Sequence, residues 1–193
     1  MIITPIDANK DLYSIKDIIP QTLLQEIDSI DISNLNYDKW DWYDHSRKKI
    51  DVASDSLFNR LQKHMLDSKN KMSDLLEFEV KHIDSTFWLD QSGFTFPVHT
   101  DNPGVNVAMQ IYLNDCDNAG TTFYQISEND IREQNDDQHW HYVGENPPTN
   151  VRHTFDFIKN TGYLMVNHKT QLHGVPGKLK DGQHRLSMYC WIN

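Results

Sequence analysis

Three short patterns in the second half of the chain combine residue types suited to metal and anion chemistry. The first is His99-Thr100-Asp101. In an extended strand residues i and i+2 face the same way, so one imidazole and one carboxylate can converge on a single ion. A third ligand would complete a two-His-one-carboxylate facial triad, which leaves positions on Fe(II) open. H-x-D alone has little specificity, and a solvated strand end explains it as well. The natural third ligand is His173, in Gln171-Leu172-His173-Gly174-Val175-Pro176-Gly177 after the apolar run Tyr163-Leu164-Met165-Val166. The plain alternative is a loop histidine beside a Gly–Pro turn. Arg185-Leu186-Ser187 follows twelve residues beyond His173. Arg185 and Ser187 share one strand face, while Leu186, Met188, Cys190 and Ile192 fill the other. A guanidinium fork binds a carboxylate bidentately and a serine adds a hydrogen bond. An edge arginine paired with a surface acid is the competing explanation. The order of the three patterns over one predicted β region favours the ligand reading.

Other clusters compete less well. His139-Trp140-His141 also puts two imidazoles on one face and would suit zinc or copper, or contact substrate at the rim of a site. It has no carboxylate partner fixed by spacing. His153, His168 and His184 read as surface or hydrogen-bonded strand residues. Arg47-Lys48-Lys49 is the one basic run and reads as a solvated turn, with an anionic substrate as the alternative. Trp40, Trp42 and Tyr43 read as packing between a helical part and a β core.

These residues need a framework. From about Val80 the pattern has period 2: Val105, Val107, Met109, Ile111 and Leu113 alternate with Asn106, Ala108, Gln110, Tyr112 and Asn114. Further strands are predicted at 83–89, 94–99, 121–125, 140–143, 151–158, 163–167 and 184–191, separated by Asn, Gly and Pro turn signals. Residues 126–139 read as a long polar surface loop. The first 80 residues read mostly as helix and loop. Pro20 precedes an apolar stripe of Leu23, Leu24, Ile27 and Ile30. Ser54 or Asp55 can cap a helix that aligns Leu57, Phe58, Leu61 and Met65, and Met72, Leu75 and Leu76 mark a third segment. The expected fold is mainly β with N-terminal helices: a jelly roll, or double-stranded β-helix, with helices packed on one sheet. The expected organisation is a single domain over 1–193, with a mostly helical support region at 1–80 and the jelly-roll core at 81–193.

Composition narrows the function. The chain has 193 residues, ten histidines, two cysteines and a net charge of −10. One ordinary domain fits this length. Two cysteines cannot form a disulfide framework or a four-thiolate metal site, so imidazole and carboxylate must carry any metal chemistry. The acidic balance argues against general nucleic-acid binding. No apolar run is long enough to cross a bilayer, and Met1-Ile2-Ile3-Thr4-Pro5 lacks the features of a signal peptide. A cytoplasmic protein with free Cys116 and Cys190 is expected.

The order His99-x-Asp101, His173, Arg185-x-Ser187 resembles that of the Fe(II)/2-oxoglutarate-dependent oxygenases. Further segments resemble their prolyl-hydroxylase-like branch: Phe96-Pro97-Val98-His99-Thr100-Asp101; Ile111-Tyr112-Leu113-Asn114-Asp115 followed by Gly120-Thr121-Thr122-Phe123; and His173-Gly174-Val175-Pro176 with Gly182 and Arg185-Leu186-Ser187-Met188-Tyr189-Cys190-Trp191. The resemblance covers roughly residues 83–193. That branch usually holds the far carboxylate of its co-substrate with lysine. Arg185 stands here instead, as in many other members of the superfamily, which weakens any transfer of prolyl specificity. Related halogenases replace the metal carboxylate with a small residue, and Asp101 is retained here.

The resemblance implies a dioxygenase, specifically a hydroxylase, in which His99, Asp101 and His173 are the metal ligands and catalytic residues. Fe(II), 2-oxoglutarate and O2 are the implied cofactor set. Arg185 and Ser187 would hold the far carboxylate of 2-oxoglutarate, and Tyr112 or Asn114 would contact the co-substrate. Succinate and CO2 would be released as a peptidyl proline, an amino acid or another small molecule is hydroxylated. No membrane or general nucleic-acid partner is implied. The alternative is a cupin-like metal protein or a carbohydrate-binding jelly roll. A cupin would normally show H-x-H with a Glu and a later His, and a sugar binder needs no R-x-S.

Overall fold

The computed structural model describes residues 1–42, 46–77, 79–127, 129, 131–133, 140–142 and 148–193; side chains at 39–42, 54, 132–133 and 140–142 lie outside that description. The chain begins with an antiparallel hairpin of β1 (Ile2–Pro5) and β2 (Leu12–Lys16), followed by α1 (Gln21–Asp28). A second antiparallel pair, β3 (Tyr37–Trp42) and β4 (Arg47–Ile50), precedes α2 (Ser56–Asp67) and α3 (Lys69–Leu76). The rest is β: β5 (Ile83–Asp90), β6 (Phe96–His99), β7 (Val107–Tyr112), β8 (Cys116–Tyr124), β9 (Ile131–Glu133), β10 (Trp140–Tyr142), β11 (Val151–Phe157), β12 (Thr161–Val166), β13 (His173–Val175) and β14 (Arg185–Ile192).

These strands make two antiparallel sheets. The larger runs β1-β2-β12-β7-β14-β5-β4-β3, and the smaller runs β11-β8-β13-β6-β10-β9. Period-2 alternation sorts β7 and β14 of the larger sheet between two cores. Val107, Met109 and Ile111 of β7 and Leu186, Met188, Cys190 and Ile192 of β14 join the core that the helices cover. Ala108 and Tyr112 of β7 and Tyr189 of β14 join the core between the sheets, with Phe123, Phe155 and Tyr163. The architecture is the expected jelly roll with helices on one sheet.

The main helix forms for local reasons. Asp55 accepts hydrogen bonds from the Leu57 and Phe58 N–H groups, at 2.8 and 3.4 Å. Such a cap is worth about 1 kcal/mol. Leu57, Phe58, Leu61 and Met65 then fall on one buried stripe of α2. Phe58 packs against Phe87 of β5 with ring centroids 4.7 Å apart. Each fully buried apolar side chain of this kind contributes roughly 1.5–3 kcal/mol. In the larger sheet Gly162 allows β12 to approach β7 closely: a Cβ there would lie 1.9 Å from the Gln110 carbonyl oxygen.

Three local features add to the sequence reading. Residues 1–80 hold four strands beside their helices and loops, and β2 and β4 pair directly with β12 and β5. Those strands are short, and the neighbouring strands determine them more than their own alternation does. Residues 126–139 contain the three-residue strand β9. His173 lies on β13, hydrogen-bonded between β6 and β8, which sets aside the plain alternative of a loop histidine. Among the described residues, no helix is long and apolar enough to cross a membrane.

Candidate metal and anion centre

β13 is the element that builds the cluster. Its register sets His173 directly opposite His99 of β6. Asp101 lies two residues beyond the end of β6, and its Oδ1 is 3.8 Å from His99 Nε2 and 3.7 Å from His173 Nε2. One ligand atom from each residue lies within 4.8 Å of the others. An ion held by bonds of about 2.1 Å spans up to about 4 Å between donors, so the 3.7 and 3.8 Å separations from Asp101 to the two histidines suit one small divalent cation.

Each ligand atom is oriented by a second contact. His99 Nδ1 is 2.8 Å from the Pro97 carbonyl oxygen, and His173 Nδ1 is 3.2 Å from that of Gln171. A carbonyl only accepts, so both Nδ1 atoms carry the hydrogen and both Nε2 lone pairs face the centre. The Tyr189 hydroxyl donates to Asp101 Oδ2, which leaves Oδ1 turned toward the histidines. Burial, reinforced by the Asp101 charge, pushes the Tyr189 phenol well above its ordinary value and keeps it a donor. The imidazoles sit against rings: Phe123 stacks on His173 at 5.1 Å, and Phe96 meets His99 edge-on at 4.4 Å.

Along the same inner face of β14 lie Ser187 and Arg185. Arg185 is 1% exposed, and its Nε and Nη1 have no hydrogen-bond partner. Ser187 Oγ is likewise buried and unpartnered. The guanidinium lies 4.6 Å from the Phe157 ring and 5.5 Å from the Phe94 ring. Its nearest acid is Asp90 on β5, with 3.6 Å between Nη1 and Oδ2. Burial opposes the charge and pulls the Arg185 pKa below its ordinary value. A buried guanidinium with free donors is a strong site for a carboxylate.

Tyr112 faces Ser187 across β7 and β14. Its hydroxyl is 3.1 Å from Thr121 Oγ1, and burial pushes its pKa up to about 12, so it stays protonated at neutral pH. Asn114 Nδ2 donates to the Asp115 and His184 carbonyls, and its Oδ1 accepts from the Leu186 N–H. It therefore fastens backbone beside Arg185. His139 lies outside the described residues. The backbone of His141 pairs with His99, but its side chain lies outside the description.

Sequence reasoning missed Tyr189, Asp90 and Arg47. Alternation was a usable signal for Tyr189, which shares its face with Arg185 and Ser187. Arg47 read as part of a solvated turn, yet it lies largely buried on Asp90.

Neither a protein-family model nor a curated protein sequence matches the chain. Solved structures do. A prolyl hydroxylase from Trichoplax adhaerens, in complex with a hypoxia inducible factor oxygen degradation domain peptide fragment, is 13% identical. That match covers 94% of this chain and 83% of the other, with a TM-score of 0.62. A Burkholderia pseudomallei oxidoreductase of the 2OG-Fe(II) oxygenase family is 10% identical over 95% of this chain and 84% of its own, with a TM-score of 0.60. The fold is that of the Fe(II)/2-oxoglutarate-dependent oxygenases. HygX from Streptomyces hygroscopicus, with nickel, 2-oxoglutarate and hygromycin B bound, shares this oxygenase fold at 11% identity. It matches over 94% of this chain and 82% of its own, with a TM-score of 0.61.

Proposed function

We propose that the protein is an Fe(II)- and 2-oxoglutarate-dependent dioxygenase that hydroxylates a peptide or small-molecule substrate and releases succinate and CO2. One observation carries this reading. The inner surface of the oxygenase fold bears both a His-Asp-His cluster with aligned ligand atoms and a buried arginine with unpartnered donors. The donor set suits Fe(II), whose two-His-one-carboxylate sites keep positions open for other ligands.

His99 and His173 would supply neutral nitrogens, and Asp101 would supply one negative charge. Arg185 and Ser187 would bind the far carboxylate of 2-oxoglutarate, and Tyr112, paired with Ser187 across β7 and β14 and donating its hydroxyl to Thr121, would stand beside them as a neutral group. Bound Fe(II) with 2-oxoglutarate supplies the oxidising chemistry, by coupling O2 activation to decarboxylation of the keto acid. Phe96 and Phe123 form an apolar wall against the two imidazoles and limit water there. Peptide and hygromycin B appear as bound molecules in two proteins of this fold, which supports keeping both substrate classes. Arg185 in place of lysine weighs against assuming a prolyl substrate.

We read 1–193 as one domain, since strands from both parts share the larger sheet. Cys116 and Cys190 are free thiols, which suits a reducing cytoplasm. Incubation in air with Fe(II) and 2-oxoglutarate is expected to yield succinate, with faster release when a panel of peptides and amino acids contains the substrate. Succinate no higher than in a protein-free control would refute the proposal.

A further inference from the structure

Arg47, Asp90 and Arg185 form one row across three neighbouring strands. The β4–β5 register sets Arg47 opposite Asp90, and the β5–β14 register sets Asp90 opposite Arg185. Two guanidiniums therefore flank one carboxylate that is fully buried. They do not share it equally. Arg47 takes both oxygens, with Nε 2.6 Å from Oδ1 and Nη2 3.2 Å from Oδ2. Arg185 reaches Oδ2 only at 3.6 Å, beyond hydrogen-bond range. Arg47 is held in this pose by three rings: Trp88, Phe94 and Phe96 lie 4.9, 4.6 and 5.0 Å from its guanidinium carbon. The row carries a net charge of +1, and its buried donors without a hydrogen-bond partner are Nε and Nη1 of Arg185.

We infer that Arg47 is a positioning residue for the co-substrate: by occupying Asp90 it keeps the Arg185 guanidinium open to an incoming carboxylate. The inference rests on the proposed function. Two carboxylates, one from the protein and one from the ligand, can compete for the same Arg185 fork. With Arg47 in place, Asp90 is satisfied by a neighbour and the ligand wins. Without Arg47, Asp90 is left as a buried anion beside Arg185. It would close a bidentate pair with that fork and bring the local charge to zero. The ligand would then have to break an internal ion pair before binding.

This predicts an unusual pattern of coupling. Removing Arg47 should weaken co-substrate binding although Arg47 itself does not touch the ligand. Removing the Asp90 charge as well should restore binding, because no competitor remains. An arginine that merely pins β4 to the sheet would give the opposite pattern, with the second substitution adding to the damage.

The test is anaerobic calorimetric titration of the Mn(II)-loaded protein with 2-oxoglutarate. Arg47→Ala is expected to raise Kd at least about 10-fold, and Arg47→Ala with Asp90→Asn is expected to return within about 3-fold of wild type. Affinity for Mn(II) alone should be unchanged in both. Arg47→Lys keeps the charge but loses the fork. It should give a smaller loss that Asp90→Asn also reverses, so the test survives an Arg47→Ala protein that fails to fold. Wild-type binding with no rescue by Asp90→Asn would overturn the inference alone. Wild-type protein that binds no 2-oxoglutarate would overturn the proposed function, and this inference with it.

Discussion

Replacement of Arg185 by methionine is expected to give a protein that no longer holds 2-oxoglutarate yet resists heat better than wild type. The binding loss follows from the donors. Arg185 Nε and Nη1 are buried and unpartnered, so a carboxylate arriving there gains charge-assisted bonds that methionine cannot offer. An affinity loss of about 100-fold or more is expected. The stability gain follows from the same facts. The ligand-free protein keeps an excess guanidinium 1% exposed, with one acid at 3.6 Å that Arg47 already occupies. Methionine removes this uncompensated charge and fills similar space, leaving Arg47 and Asp90 as a complete pair. Replacing buried charge by an apolar side chain of similar volume is often stabilising by roughly 1–4 kcal/mol. In a chain of this size that corresponds to a rise in Tm of about 2–16 °C. Scanning calorimetry without ligand, paired with a 2-oxoglutarate titration, reads both effects. A lower Tm would show that Arg185 is a structural cation and not an anion receptor.

Asp101→Ala should be equally severe at the other end of the site. Asp101 would supply the only charge among the three proposed ligands, and its Oδ1 sits at nearly equal distances from both Nε2 atoms. Two neutral imidazoles alone hold a divalent cation poorly. Affinity for Co(II) or Fe(II) is expected to fall by at least about 100-fold, with no succinate formed. Tyr189→Phe supplies the graded control. It removes only the hydroxyl that orients Asp101, so a fall of about 10-fold is expected with turnover retained. Equal effects for the two variants would mean that Asp101 acts by holding Tyr189 and not by binding metal.

The legible parts of the sequence were those where one strand or helix carries its own pattern. β7, β14 and α2 could be read because apolar residues recur at one period over six or more positions, and that alternation correctly set Arg185 and Ser187 apart from Leu186 and Met188. The elements that misled are short or depend on partners. β4 is Arg-Lys-Lys-Ile, which looks solvated until Asp90 and three aromatic rings are brought against Arg47. β13 spans three residues, and strands on both sides hold it in place. Asn114 resembled a ligand contact by its place in a motif, whereas three backbone bonds fix what it does. Pairings between distant strands decide these cases, and period alone does not record them.

The most direct test of the whole account is optical. Anaerobic addition of Fe(II) and then 2-oxoglutarate to the wild-type protein should produce a visible metal-to-ligand charge-transfer band, because on this account the keto acid would bind the metal that His99, Asp101 and His173 would hold. The account predicts that band in wild type and its absence in Asp101→Ala. A wild-type protein that gives no band and binds no 2-oxoglutarate would contradict it.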